Sequence, residues 1–302
     1  MGLEGIRRKI DSINKTSQIT NAMSLVSTTK YNRIVNISSN YEQYAKKVRR
    51  LVASIISRVN DLNAPSYGSN NSDLDIIDYH DLLVSRSVKK TGYLIITSDK
   101  GLAGGYNSTV VKEFRQLLQQ RKQLKDDVVV MAIGDPIVKF CRKESIHIAH
   151  ELHHLPDFPS FTHVQSLIQK SVELFKSEIF DELYICYNHS VNALQNEFRC
   201  EQVLPLANID QEDELDVDYL IEPEISDVLD VLLTQYAEST IYGTILDAKT
   251  AEQASRMQAM TQATDNATDL IKSLQYQYNQ ERQKQVTNEI IEITSGANAQ
   301  NN

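Results

Sequence analysis

The chain has 302 residues, 24% charged and 41% hydrophobic, which is ordinary for a globular protein with one or two cored domains. No run approaches the ~18 to 20 apolar residues of a membrane span, and MGLEGIRRKI has no apolar segment after its basic residues, so it does not read as a secretory signal. The net charge of −9 is unevenly laid out: residues 1–59 hold eleven Lys and Arg against three acids, whereas 200–248 hold thirteen acids and no Lys or Arg.

The predicted order is helix, α/β domain, helix. All six prolines fall between Pro65 and Pro223, so the two ends lack the residue that most strongly breaks helices. From Ile6 to Ala64 there is neither Pro nor Gly, and Ile34, Ile37, Tyr41, Tyr44, Val48, Val52, Ile55 and Val59 recur at spacings of three and four. That is the seam of a coiled coil, and it predicts an N-terminal helix over 1–62. Residues 63–90, with NAPSYGSNNSD, read as an exposed loop and connection.

A central α/β domain is expected over 91–207. GYLIITS (92–98), VVVMAI (128–133), ELYICY (182–187) and 198–206 read as strands, alternating with helical patterns near 107–124, 136–144 and 161–178. That alternation implies βαβ units, a largely parallel sheet and a Rossmann-like domain. An acidic connection (208–222) leads to a C-terminal helix over 223–302. Pro223 suits its first turn and Gly296 its stop, with a seam of Met257, Met260, Ala263, Ala267, Leu270, Leu274 and Tyr278. The two helices would be roughly 85 and 110 Å long.

Lys46, Lys47, Arg49, Arg50 and Arg58 end the first helix, and Glu222, Glu224, Asp227 and Asp230 begin the last. Antiparallel packing sets these blocks side by side and matches both macrodipoles. The fold class is therefore α/β plus a long antiparallel coiled coil of the N- and C-terminal helices.

Catalytic and ligand motifs are sparse. The turn Thr97–Asn107 (TSDKGLAGGYN) joins a strand to a helix, a place suited to phosphate, but it matches neither GxxxxGK[ST] nor GxGxxG. It reads as a tight turn in which glycines supply positive φ. His147, His150, His153 and His154 cluster, but the strand-like IHIAHEL puts His147 and His150 on opposite faces, so the group reads as a solvated patch rather than a zinc site. Cys141, Cys186 and Cys200 form no CxxC pair and read as free thiols in a reducing compartment, a bacterial cytosol. No catalytic residue, cofactor or metal is assigned. The helix surfaces say more. Between Asp11 and Lys30 the only other charge is Lys15, and Met257–Asp269 is rich in Ser, Thr, Asn, Gln, Ala and Met, a surface suited to loose contact with surrounding protein.

Several segments together resemble one family, the gamma subunit of the F-type ATP synthase, over almost the whole chain. IRRKIDSINKTSQITNAMSLVSTTK resembles its opening helix, TGYLIITSDKGLAGGYNS its first strand and turn, DYLIEP the approach to its last helix, and ASRMQAMTQATDNATDLI that helix's continuation. Val286, Thr287, Glu289, Glu292, Gly296, Ala297 and Ala299 fit its terminal signature.

The resemblance implies a central rotor stalk that couples proton flow through the membrane ring to conformational cycling and ATP synthesis on the beta subunits. The implied partners are alpha and beta subunits, epsilon and the c-ring, with no nucleic acid. The implied location is the cytoplasmic side of the cell membrane, peripheral and held there only through the complex. By the same resemblance Arg282, Gln283 and Thr287, with Arg256 and Met23, serve beta-subunit contact and coupling. Lys46, Lys47, Arg49, Arg50, Asp218, Tyr219 and Glu222 lie toward the foot, near c and epsilon. Ala103 stands where many relatives carry Cys, and 60–90 holds no Cys pair, so a thiol switch there is not implied. A non-rotary coiled-coil adaptor or tether is the alternative.

Overall fold

A computed structural model describes residues 2–62, 81–206, 222 and 225–300. Helix α1 runs Leu3–Leu62, followed by β1 (Thr91–Ile96), α2 (Tyr106–Gln120), β2 (Val128–Ile133), α3 (Asp135–Glu144), β3 (His147–Leu152), α4 (Phe161–Lys176), β4 (Glu182–Asn192), β5 (Gln195–Leu204) and α5 (Ile225–Gln300). The chain divides into two compact units: Met1–Thr28 with Arg256–Asn302, and Thr29–Ser255. Each long helix contributes to both.

In the first unit the two helices pack on each other. Leu3, Ile6, Ile10, Ile13, Ser17, Thr20, Ser24 and Ser27 of α1 are drawn out of solvent, at spacings that alternate between three and four. Met257, Met260, Thr264, Ala267, Ile271, Leu274, Tyr278 and Glu281 of α5 follow the same rule. Thr20 and Thr264 share a hydroxyl–hydroxyl hydrogen bond of 2.7 Å, and Ser24 and Thr261 one of 2.8 Å. Numbers rise on α1 as they fall on α5, so the pair is antiparallel. This seam corrects the predicted one in two places. Leu270 is 49% exposed and Ile271 lies inward instead, and Thr264 joins Ala263 at the interface. The inward positions keep a strict seven-residue repeat, Met257, Thr264, Ile271 and Tyr278 with Met260, Ala267, Leu274 and Glu281, and the predicted Ala263 and Leu270 each stand one residue off it. Gly296 does not stop the helix, which continues to Gln300. A single helical glycine costs about 1 kcal/mol and lacks proline's clash with the preceding turn.

The second unit is built on a five-stranded sheet in the order β3-β2-β1-β4-β5. Neighbours are parallel except β4 and β5, which form an antiparallel hairpin. Strand alternation divides the core. Tyr93, Ile95, Val130 and Ala132 meet Val110 and Phe114 of α2 and Ile137 and Cys141 of α3. Leu94, Ile96, Val129, Met131 and Ile133 belong to the opposite cluster, with Val164, Leu167 and Ile168 of α4. Val52 and Ile55 of α1 and Leu229, Leu233, Ile241 and Ile245 of α5 complete that cluster. Here, then, the terminal helices are a layer of the domain core. Tyr41 meets Tyr242 edge-on at 4.6 Å, and Gln235 donates to the Tyr44 hydroxyl, again the antiparallel sense. Tyr44, expected in the seam, is nevertheless exposed, because its ring reaches outward to that partner.

Strands β3 and β5 are the two edges of the sheet, and β5 begins at Gln195, earlier than the predicted 198. The turn at 192–195 closes the hairpin through Asn192 Oδ1, which accepts the backbone N–H of Leu194 (2.8 Å) and Gln195 (2.9 Å). Pro223 and the acidic run 208–221 lie outside the described residues, as do 63–80.

Candidate functional site

The residues singled out in the sequence fall into three places. The first is the end of α5. By the heptad register from Thr20–Thr264, Ile13 faces Ile271, Ile10 faces Leu274 and Ile6 faces Tyr278. Helix α1 starts at Leu3, so beyond Glu281 the register leaves α5 no facing residue of α1 among the described residues. Arg282 to Gly296 are all exposed. Gln283 and Thr287 are brought together, with Thr287 Oγ1 donating to the Gln283 carbonyl at 2.8 Å, and Gln285 donates to Glu289 at 3.2 Å. Val286, Ile290 and Ile293, 46%, 58% and 71% exposed, recur four and then three residues apart on one helix face. Arg282, Glu289 and Glu292 supply charge around them. Ala297 and Ala299 continue the helix. Val286 already stood in the terminal signature, whereas Ile290 and Ile293, which complete the stripe, were not singled out although their helical spacing was readable.

Met23 and Arg256 lie elsewhere. Met23 is half-buried and Arg256 buried. On α5, Arg256 is about 40 Å from Arg282 at 1.5 Å per residue. The five coupling candidates are therefore two sets, one exposed and one packed into the helix pair.

Of the residues expected toward the foot, Lys46, Lys47 and Arg50 are exposed and Arg49 is half-buried. Lys46 pairs with Glu42 of its own helix at 3.1 Å, and Asp230 with Lys176 of α4 at 3.4 Å. Glu222 is exposed, and Asp218 and Tyr219 lie outside the described residues.

The second unit explains the glycine turn. Leu102 and Gly104 have φ of 62° and 55°, so the chain reverses tightly after β1. Ala103 and Tyr106 are buried against Ala251 of α5, and the Tyr106 hydroxyl donates to the Ala248 carbonyl at 3.0 Å. The turn is docked on the helix. Asn107 locks it by accepting the Ser98 N–H (2.8 Å) and donating to the Ser98 carbonyl (3.1 Å). Asp157 bridges Lys30 of α1 (2.7 Å) and Lys100 of the turn (3.1 Å). Burial pushes its carboxyl up, but hydrogen bonds from Lys30 and Lys100 outweigh that and hold it below the ordinary range. Beside Ala248 and Ala251 on α5, Lys249 and Glu252 form a buried pair at 2.9 Å.

The histidines do not act as one patch. His147 and His154 are exposed, whereas His153 sits between Asp135 (Nδ1, 2.8 Å) and Glu151 (Nε2, 3.1 Å). Those hydrogen bonds, Glu151 first, raise its pKa. Cys186 and Cys200 face each other across β4–β5 with sulfurs 2.7 Å apart, a neighbourhood that hairpin register creates and CxxC spacing could not reveal. Burial pushes the Cys186 thiol up.

Two terminal helices paired antiparallel, with a Rossmann-like domain inserted between them, define a class: two-helix coiled-coil proteins that carry an α/β domain. No helix among the described residues is long and apolar enough to cross a membrane. A family model described as ATP synthase matches residues 2–300. The ATP synthase gamma chain of Streptococcus gordonii is 44% identical over 99% of both chains, and that of Lacticaseibacillus paracasei 45% over 98% of both. The chain belongs to the ATP synthase gamma chain family.

The fold agrees. A chain of the Euglena gracilis mitochondrial ATP synthase in rotational state 3 superposes with a TM-score of 0.67 at 17% identity, covering 98% of this chain and 94% of that one. A chain of the Tetrahymena thermophila mitochondrial central stalk and c-ring gives 0.54 at 20% identity, covering 81% and 99%.

Proposed function

We propose that this chain is the central rotor stalk of an F-type ATP synthase. It turns with the membrane c-ring and drives the alpha and beta subunits through their nucleotide states. Catalysis belongs to beta, and this chain is a non-catalytic subunit held at the cytoplasmic face of the membrane through epsilon and the c-ring. A shaft can shift an equilibrium only by contacting alternative conformations differently. The carrying observation is the exposed run Arg282–Gly296, which presents Val286, Ile290 and Ile293 beyond the start of α1. An isolated helical segment of this length is marginal in water, and its apolar stripe fits a surrounding protein collar. Arg282 and Gln283 then meet a beta-subunit loop, with the guanidinium offering a forked donor to carboxylates. Met23 and Arg256 act from within the helix pair, and Lys46, Lys47, Arg49, Arg50, Asp218, Tyr219 and Glu222 face the foot.

Co-expression with alpha and beta subunits tests the assignment. One copy of this chain per hexamer is expected, and two or more copies would make it a tether. Arg282→Ala should leave the melting temperature of the chain unchanged while lowering coupled ATP synthesis in the assembled complex. Normal coupling with a destabilised chain would remove Arg282 from that role.

A further inference from the structure

We propose that Asp99, Asp135 and His153 form a binding site for a divalent cation of the zinc class at the carboxyl ends of β1, β2 and β3. One donor atom from each residue lies within 4.8 Å of the other two. A cation held at about 2.0 to 2.2 Å by nitrogen and oxygen sets such atoms roughly 3.0 to 3.5 Å apart, so side-chain rotations of about an ångström close the set. The residues come from three separate strand ends, made neighbours by the sheet order β3-β2-β1.

The histidine is already aimed. Arg142 donates to both Glu151 oxygens (2.8 and 2.9 Å), and Glu151 lies 3.1 Å from His153 Nε2. A carboxylate that takes the Nε2 proton leaves the Nδ1 lone pair for a metal, the supporting arrangement that metal-bound histidines use. Nδ1 faces Asp135, 2.8 Å away.

The carboxylates are positioned by backbone. Asp135 follows Gly134, whose φ is 92° and where an added Cβ would lie 2.6 Å from the Thr97 carbonyl oxygen, so the approach to Asp135 has one conformation. The Asp135 N–H donates to Asp99 Oδ1 at 3.1 Å, which leaves the second Asp99 oxygen for the cation. Asp99 and Asp135, though not His153, border a cavity of about 340 Å³ that also reaches His154, Asp157, Lys249 and Glu252, so the two carboxylates are open to water on that side. One imidazole with two carboxylates favours zinc, cobalt or nickel over magnesium and calcium, which prefer oxygen throughout. Binding replaces the His153–Asp135 hydrogen bond and ties together the ends of three strands.

The test is titration of the chelator-stripped full chain with Zn2+ alone, against a competing chromophoric chelator, and with Co2+ as a spectroscopic probe. One equivalent is expected, with cobalt d–d bands and no thiolate charge-transfer band, which excludes the Cys186–Cys200 pair. His153→Asn should weaken binding at least tenfold, and His154→Asn should match the unmodified chain. Glu151→Gln keeps all three ligands and should weaken binding about tenfold with unchanged circular dichroism. It reads the site even if His153→Asn folds poorly. Absence of a stoichiometric event, a thiolate band, or equal affinity in Glu151→Gln and the unmodified chain would each overturn the proposal.

Discussion

The same two helices are packed in two different ways. Within Thr29–Ser255 they supply large aliphatic side chains, Val52, Ile55, Leu229, Leu233 and Ile241, to a core shared with the sheet. Within the other unit the middle of the seam is Ser17, Thr20, Ser24 and Ser27 against Met257, Met260, Thr264 and Ala267, joined partly by hydroxyl hydrogen bonds. Aliphatic burial yields roughly 1.5 to 3 kcal/mol per side chain, whereas a hydroxyl pair contributes about 1 kcal/mol net. One stretch is bolted to a domain, and the other is a helix pair of small residues and adaptable methionines. A rod that must hold its place in one protein while sliding past others needs both.

The contrast can be broken from either side. Leu233→Ala in the bolted stretch should cost about 2 to 5 kcal/mol by chemical denaturation, because a buried aliphatic leaves a cavity. A change below 1 kcal/mol would mean that this layer is not core. Ala263→Pro should cost about 3 kcal/mol through a lost helical hydrogen bond and a ring clash. Hydrogen exchange should show protection lost in Met1–Thr28 and Arg256–Asn302 and retained in the sheet. Loss spread evenly over both units would show them unfolding as one.

Smaller effects sharpen the comparison. Asp157 has a folded pKa below its unfolded value, so its contribution is present above about pH 4 and lost as pH falls through the folded pKa. Asp157→Asn should remove that acid-dependent part of stability, at most about 1 kcal/mol because Lys100 is largely solvated. An unchanged acid limb in denaturation against pH would show that the carboxylate stabilises nothing. Smallest is Thr20→Val with Thr264→Val. Replacing both partners of a hydrogen bond by apolar groups of similar shape is nearly neutral or slightly stabilising. Melting should shift by no more than a few degrees, with any rise confined to the helix pair. A large drop would mean that the hydroxyl bond, not packing, holds the seam.

Both long helices, their antiparallel sense and the alternating α/β middle were determined by the sequence itself. Those features are local, arising from missing prolines, three–four spacing, short β-branched runs and the sign of charge at each end. The phase of the seam at Ile271 was not readable, because Leu270 is equally apolar and only the partner helix selects between them, and Thr264 was hidden by a hydroxyl whose partner, Thr20, lies on the other helix. The meeting of Asp99, Asp135 and His153 and the facing of Cys186 and Cys200 were likewise decided by strand order and hairpin register. Non-local pairing leaves no periodic trace along a chain, so tertiary structure alone brings such residues within reach of one another.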